Sequence, residues 1–127
     1  MKIIKKEPNH CMSVQNTVKT TLNEIAKENI SSIINSNDFY ECIHLSNNIL
    51  LVVDDNFIAK QLEFNCYLSY GINTVYPILG DMLFIGCMNN DDEYIFRDLT
   101  DEEIEDIKSM FYDNYQEFLE MFYADMH

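Results

Sequence analysis

Two helix-start signatures stand far apart in this chain, and nearly every apolar run between them is short and rich in β-forming residues. Thr21-Leu22-Asn23-Glu24 and Thr100-Asp101-Glu102-Glu103 each have the spacing of a capping box, in which a threonine hydroxyl and a carboxylate three positions on satisfy backbone donors reciprocally. After the first, Leu22, Ile25, Ala26, Ile30, Ile33 and Ile34 share one helical face, which predicts a helix ending at Asn35-Ser36-Asn37. Most of the remaining segments read as strands. Lys2 to Lys6 forms a short first strand, and His10 to Val18 a second after the Pro8-Asn9 turn. Phe39 to Leu45 and Ile49 to Asp54 make a tight hairpin, because Asn47 and Asn48 between them tolerate positive φ. Asp81 to Met88 reads as a buried strand, and Glu93 to Arg97 pairs back after the turn at Asn89-Asn90-Asp91-Asp92. The stretch from Phe57 to Tyr70 leaves a short helix and an irregular crossover both open.

The second signature opens the clearest element. Ile104, Ile107, Phe111, Tyr115, Phe118 and Phe122 recur at three- and four-residue steps, the spacing of one buried helical face. Opposite them Glu102, Asp106, Asp113, Glu117 and Glu120 fall within about 60° of one another at 100° per residue. At a rise of 1.5 Å per residue, that line of carboxylates extends roughly 27 Å. The expected fold class is α+β: a small, mainly antiparallel sheet with a helix in the N-terminal half and a long acidic amphipathic helix at the C-terminus. A chain of 127 residues has room for one apolar centre, so a single domain is expected, with an α+β body over residues 1–98 and the acidic helix over 99–127.

Charge narrows the partners. The net charge is −14, and it is unevenly placed: residues 1–88 hold 9 acids and 6 bases, whereas residues 89–127 hold 13 acids and 2 bases. Such a surface repels phosphate backbones and anionic lipid and attracts a basic partner, so no direct nucleic-acid or membrane contact is expected. The longest apolar run, Ile49 to Val53, is too short to span a bilayer, and no apolar segment follows the basic start of the chain. The four cysteines, at positions 11, 42, 66 and 87, include no Cys-x-x-Cys pair and read as free thiols in a reducing cytoplasm.

Candidate chemistry is sparse. Cys42 and His44 share a strand face and form half of a zinc site, but Cys11, His10, Cys66, Cys87 and His127 are all singly placed, so no metal is expected. Asp54, Asp55 and Asp81 could gather carboxylates at strand ends, yet such acids are more often solvated turn residues. No phosphate-binding glycine loop, no nucleophile elbow and no His-Glu-x-x-His is present, and neither enzymatic activity nor a cofactor is expected.

The segments Lys2-Ile3-Ile4-Lys5-Lys6-Glu7-Pro8, Leu62-Glu63-Phe64-Asn65, Tyr76-Pro77-Ile78-Leu79-Gly80-Asp81-Met82-Leu83-Phe84-Ile85-Gly86 and Asp98-Leu99-Thr100-Asp101-Glu102-Glu103-Ile104 carry a resemblance. Together with the order of elements, they resemble domain-of-unknown-function family 3846, small uncharacterised proteins of bacteria, phages and mobile elements. The resemblance covers roughly residues 1–112. It implies an α+β fold and a mobile-genome setting. The chain departs from the family pattern around the first helix, where a Gln and paired Gly are missing, and after the hairpin, where the Asn-Glu-x-Gly turn is absent.

Two functional expectations follow. The first is a non-enzymatic counter-defence protein of a phage or mobile element, an anti-CRISPR or restriction inhibitor. It binds a basic nucleic-acid-binding host protein by mimicking phosphates with Glu102, Asp106, Asp113, Glu117 and Glu120, reinforced by Asp91, Asp92 and Glu105. Aromatic residues crowding the same helix suggest homodimerisation through it as the simplest assembly. The second is a binding or sponge protein for a small nucleotide signal, using Asn65, Tyr67, Tyr76 and Asp81. An adaptor of another kind completes the alternatives. The helix face of the first expectation equally suits an ordinary solvated surface.

Overall fold

A computed structural model describes residues 1–30, 40–46, 48–54, 61–69, 75–90 and 93–112. Their order is β1 (Lys2–Lys6), β2 (Ser13–Asn16), α1 (Leu22–Asn29), β3 (Tyr40–Ser46), β4 (Ile49–Asp54), β5 (Phe64–Ser69), β6 (Val75–Leu79), β7 (Met82–Asn90), β8 (Glu93–Arg97), α2 (Asp101–Lys108) and β9 (Phe111–Tyr112). Every strand pairing is antiparallel. The larger sheet runs β2-β1-β7-β4-β3 with β8 on β7, and the smaller runs β6-β5-β9.

Register sorts the core into two layers. Ile4, Phe84 and Leu51 stand opposite one another across β1, β7 and β4. They share a cluster with Cys66, Leu68 and Ile78 of the small sheet and with Ile104 and Ile107 of α2. Alternate residues point to the other side of a pleated sheet. There Ile3, Leu50, Val52, Leu83 and Ile85 meet Ile25, Ala26 and Ile30 at α1. β4 is buried along its whole length, which is why it is a continuous apolar run and not an alternating one.

α1 begins as its sequence dictates: the Thr21 hydroxyl accepts from the Glu24 amide at 3.3 Å. It is shorter than its periodicity predicts. At Ile30 the backbone turns extended, and the Asn29 side chain donates to the Ile25 carbonyl at 2.8 Å, closing the last turn. The expected stop at Asn35-Ser36-Asn37 lies outside the described residues.

The long acidic C-terminal helix expected over 99–127 is overturned. α2 stops at Lys108 after eight residues. The Ser109 amide already bonds to Asp106 as well as Glu105, the Ser109 hydroxyl donates to the Asp106 carbonyl at 2.7 Å, and the Met110 amide bonds to Ile107. These tightened bonds satisfy the last carbonyls without another helical turn. Phe111 and Tyr112 then pair with Leu68 and Tyr67 as β9. Phe111 sits four residues after Ile107, so the aromatic spacing fits a helix locally, but aromatic side chains also suit a half-buried strand, and β5 supplies the edge that decides. Over the described residues the fold is mainly antiparallel sheet with two short helices.

Candidate functional site

The acidic candidate is the outer face of α2. Its start is fixed by a complete capping box: the Thr100 hydroxyl accepts from the Glu103 amide at 3.1 Å, and the Glu103 carboxylate accepts from the Thr100 amide at 2.9 Å. The same carboxylate takes a bidentate pair from Arg97, both bonds at 2.7 Å. Arg97 therefore holds the Glu103 carboxyl down to about 2, with the Thr100 bonds assisting and burial opposing. Arg97 also donates to the carbonyls of Asp98 and Asn48, so one guanidinium joins β8, the β3–β4 turn and α2. Glu103 is thus a structural carboxylate. Asp101, Glu102, Glu105 and Asp106 remain exposed. At 100° per residue these four cover an arc of about 140° on the side away from Ile104 and Ile107, over roughly 7.5 Å of axis. Lys2 approaches Asp101 only to 3.9 Å and Lys108 approaches Glu105 to 3.5 Å, exposed pairs of little energetic weight.

Of the carboxylates singled out from the sequence, the structure thus places Glu102, Glu105 and Asp106 together. Asp91, Asp92, Asp113, Glu117 and Glu120 lie outside the described residues, and β9 interrupts the helix that was to align the last three with α2.

The second candidate is built around Asn65. The pairing of β5 with β6 shifts register between Phe64 and Cys66, so Asn65 is a bulge residue. Bulges re-aim side chains, and this one turns the amide inward. Its nitrogen donates to the Lys6 carbonyl at 2.9 Å and to the Gly80 carbonyl at 2.7 Å, while its oxygen accepts from the Lys6 ammonium at 2.6 Å. Gly80 has φ +82, and a Cβ there would lie 2.7 Å from Leu62 Cδ1, so this turn requires glycine on two counts. Asp81 follows it and is buried, as are Lys6 and Asp54. Register brings these three ionisable residues to the same end of the large sheet, since Lys6 stands opposite Met82 and Val52 opposite Leu83.

A crevice of about 270 Å³ opens beside this node, lined by Lys6, Asn65, Phe64, Asn9, His10 and Cys11. Its rim is held by local bonds. Asn9 adopts φ 64 and donates to the Glu63 carboxylate, and His10 Nδ1 lies 2.8 Å from the Pro8 carbonyl. The Phe64 ring leans on Tyr67 at 5.0 Å between centroids. Of the ligand-binding residues proposed from sequence, Asn65 and Asp81 converge on the Gly80 turn, Tyr67 touches the crevice wall through Phe64, and the side chain of Tyr76 lies outside the described residues. Asn65 does not offer its amide protons outward, because both are taken by backbone carbonyls. Sequence reasoning missed Lys6 and Phe64; a lysine closing an apolar strand is the one signal that pointed there.

Among the described residues no group of three His, Cys, Asp or Glu side chains could hold a metal ion. Cys42 and His44 do stand on one face of β3, opposite Val52 and Leu50, but burial, with Glu41 adding to it, pushes the Cys42 thiol up and away from the thiolate a metal needs. No described helix is long and apolar enough to cross a membrane.

The described residues form a mainly antiparallel sheet carrying two short capped helices, and a comparison with known families assigns the chain. Residues 1–112 match the family described as Domain of unknown function (DUF3846), and the protein belongs to that family. No curated protein and no solved structure matches the chain.

Proposed function

We propose that this protein is a non-enzymatic counter-defence factor of a phage or mobile element. In this reading it binds and inhibits a basic nucleic-acid-binding host protein, such as a CRISPR effector or a restriction enzyme, through the carboxylates of α2. The observation that carries the reading is the charge: −14 over 127 residues, with four carboxylates exposed on one eight-residue helix. Four charges over roughly 7.5 Å is about one per 2 Å, against one per 1.7 Å along duplex DNA. That local density exceeds what the longer helix would have given. Glu103, locked on Arg97, supports the reading by holding the helix in place beneath the exposed acids.

The test is plasmid protection in cells carrying a restriction enzyme or CRISPR effector. The wild-type protein is expected to protect, the variant Asp101→Asn, Glu102→Gln, Glu105→Gln, Asp106→Asn to lose protection, and a Glu24→Gln, Glu41→Gln control to keep it. Protection that survives neutralisation of α2 contradicts the reading.

A second reading is a small-ligand binder at the Asn65 crevice, favoured by the buried Lys6 and Asn65 beside an aromatic wall. At about 270 Å³ the crevice falls just below the usual 300–1,000 Å³ of ligand pockets, which suits a fragment-sized molecule and not an enclosed nucleotide. Native mass spectrometry of the gently purified protein checks it: an added mass lost in a His10→Ala, Phe64→Ala variant supports this reading, and a bare chain contradicts it.

A further inference from the structure

β8 carries an open edge. Cys87 donates its amide to the Asn48 carbonyl at the start of β4, so in β7 the alternate residues Gly86, Met88 and Asn90 face β8. Their partners Arg97, Ile95 and Glu93 face back, which leaves the backbone of Tyr94 and Phe96 facing outward. Among the described residues no backbone bond reaches them from that side. The reason lies in how the sheet is shared. β1 pairs with β7 up to Ile4 opposite Phe84, then β8 takes over from Gly86, and the β1–β2 hairpin continues past it, with Met1 bonded to Thr17.

The result is a groove of about 620 Å³ between Ile95 and Phe96 on one wall and Met1 with residues 17–20 on the other. All four large apolar side chains exposed among the described residues lie on these strands or beside them: Val18 (91% exposed), Met88 (50%), Val14 (48%) and Ile95 (44%). In a chain this acidic, the one charged side chain lining the groove among the described residues is a cation, Lys19, and no described carboxylate lines it.

We propose that this groove is a docking site for an extended peptide of a partner protein, added as a strand to the outer edge of β8. Each feature specifies part of the occupant. Outward N–H and C=O groups of Tyr94 and Phe96 require a strand, because only an extended backbone offers matching donors and acceptors at that spacing. Ile95, Phe96 and Val18 require apolar side chains on it, and Lys19 sets one carboxylate among them. The site is separate from the α2 face and does not rest on the counter-defence reading.

The experiment measures fluorescence anisotropy of the labelled hexapeptide Val-Thr-Val-Glu-Val-Thr on the full chain, together with two versions N-methylated on alternate amides. One set of alternate amides faces β8 and the other faces away. Methylation of one set is therefore expected to weaken binding roughly tenfold or more, and methylation of the other to leave it unchanged. Lys19→Glu, at an exposed position that leaves folding intact, is expected to weaken the parent peptide and spare a version with lysine in place of glutamate. No binding, equal tolerance of both methylated peptides, or a chain that already occupies this edge with a second copy of itself in solution overturns the proposal.

Discussion

Two polar nodes hold this fold, and they differ in reach. Arg97 and Glu103 are six residues apart, partly buried, and joined by a bidentate ion pair that sits on a helix cap. Lys6 and Asn65 are fifty-nine residues apart, both buried, and joined by a bond between the two sheets. The first does local work, fixing where α2 starts and which of its acids turn outward. The second fastens β1, the β5 bulge and the Gly80 turn to one another, so its loss removes three buried hydrogen bonds between distant segments at once. Energies should follow that difference.

The largest effect is expected at Asn65. Asn65→Ala removes three buried hydrogen bonds, to the Lys6 and Gly80 carbonyls and from the Lys6 ammonium, which should cost about 3–5 kcal/mol in urea unfolding. A cost as small as that of a surface change would mean the node is not closed as described. Glu103→Gln keeps the shape and loses the charge, with an expected cost near 2 kcal/mol at neutral pH and an upper bound of about 3 from the depressed carboxyl. The sign gives this prediction its shape. Glu103 has a folded value of about 2 against an ordinary 4.5, so its contribution is complete above about pH 4.5 and fades as pH falls toward 2. Stability curves of wild type and Glu103→Gln should therefore converge through that window, and parallel curves would sink the assignment.

Gly80→Ala comes next, at about 1–2 kcal/mol, for its positive φ and the close approach of Leu62, whose flexible side chain can give way in part. Smallest is Asp101→Asn, worth about 0.3–1 kcal/mol through the helix dipole. Thermal unfolding of this pair of variants would rank them.

What was legible in the sequence follows the same division between local and long-range. Thr100 and Glu103 could be read as a cap because their partners lie three residues apart, and the hairpin of β3 and β4 could be read from two adjacent runs around Ser46 and Asn48. Asn65 stood out only as a ligand contact in an ambiguous stretch, and its place between the two sheets was not legible, because a bulge exists only relative to its partner strand. The end of α2 was misread for a related reason. Ile107 and Phe111 share a helical face on paper, and only the edge of β5, some forty residues earlier in the chain, makes Phe111 a strand residue. Lys6 was hidden by its charge, since buried lysines are rare enough that sequence reasoning leaves them on the surface.

The functional account rests on the exposed carboxylates of α2, and the salt dependence of partner binding tests it most directly. With a host effector that the protein is found to protect against, affinity should be measured from about 0.1 M to about 1 M salt, where the screening length falls from about 10 Å to about 3 Å. The account predicts a steep loss of affinity for the wild-type chain and a much flatter, weaker line for the variant neutralised at Asp101, Glu102, Glu105 and Asp106. An affinity indifferent to salt, or one with the same slope in both proteins, would contradict it.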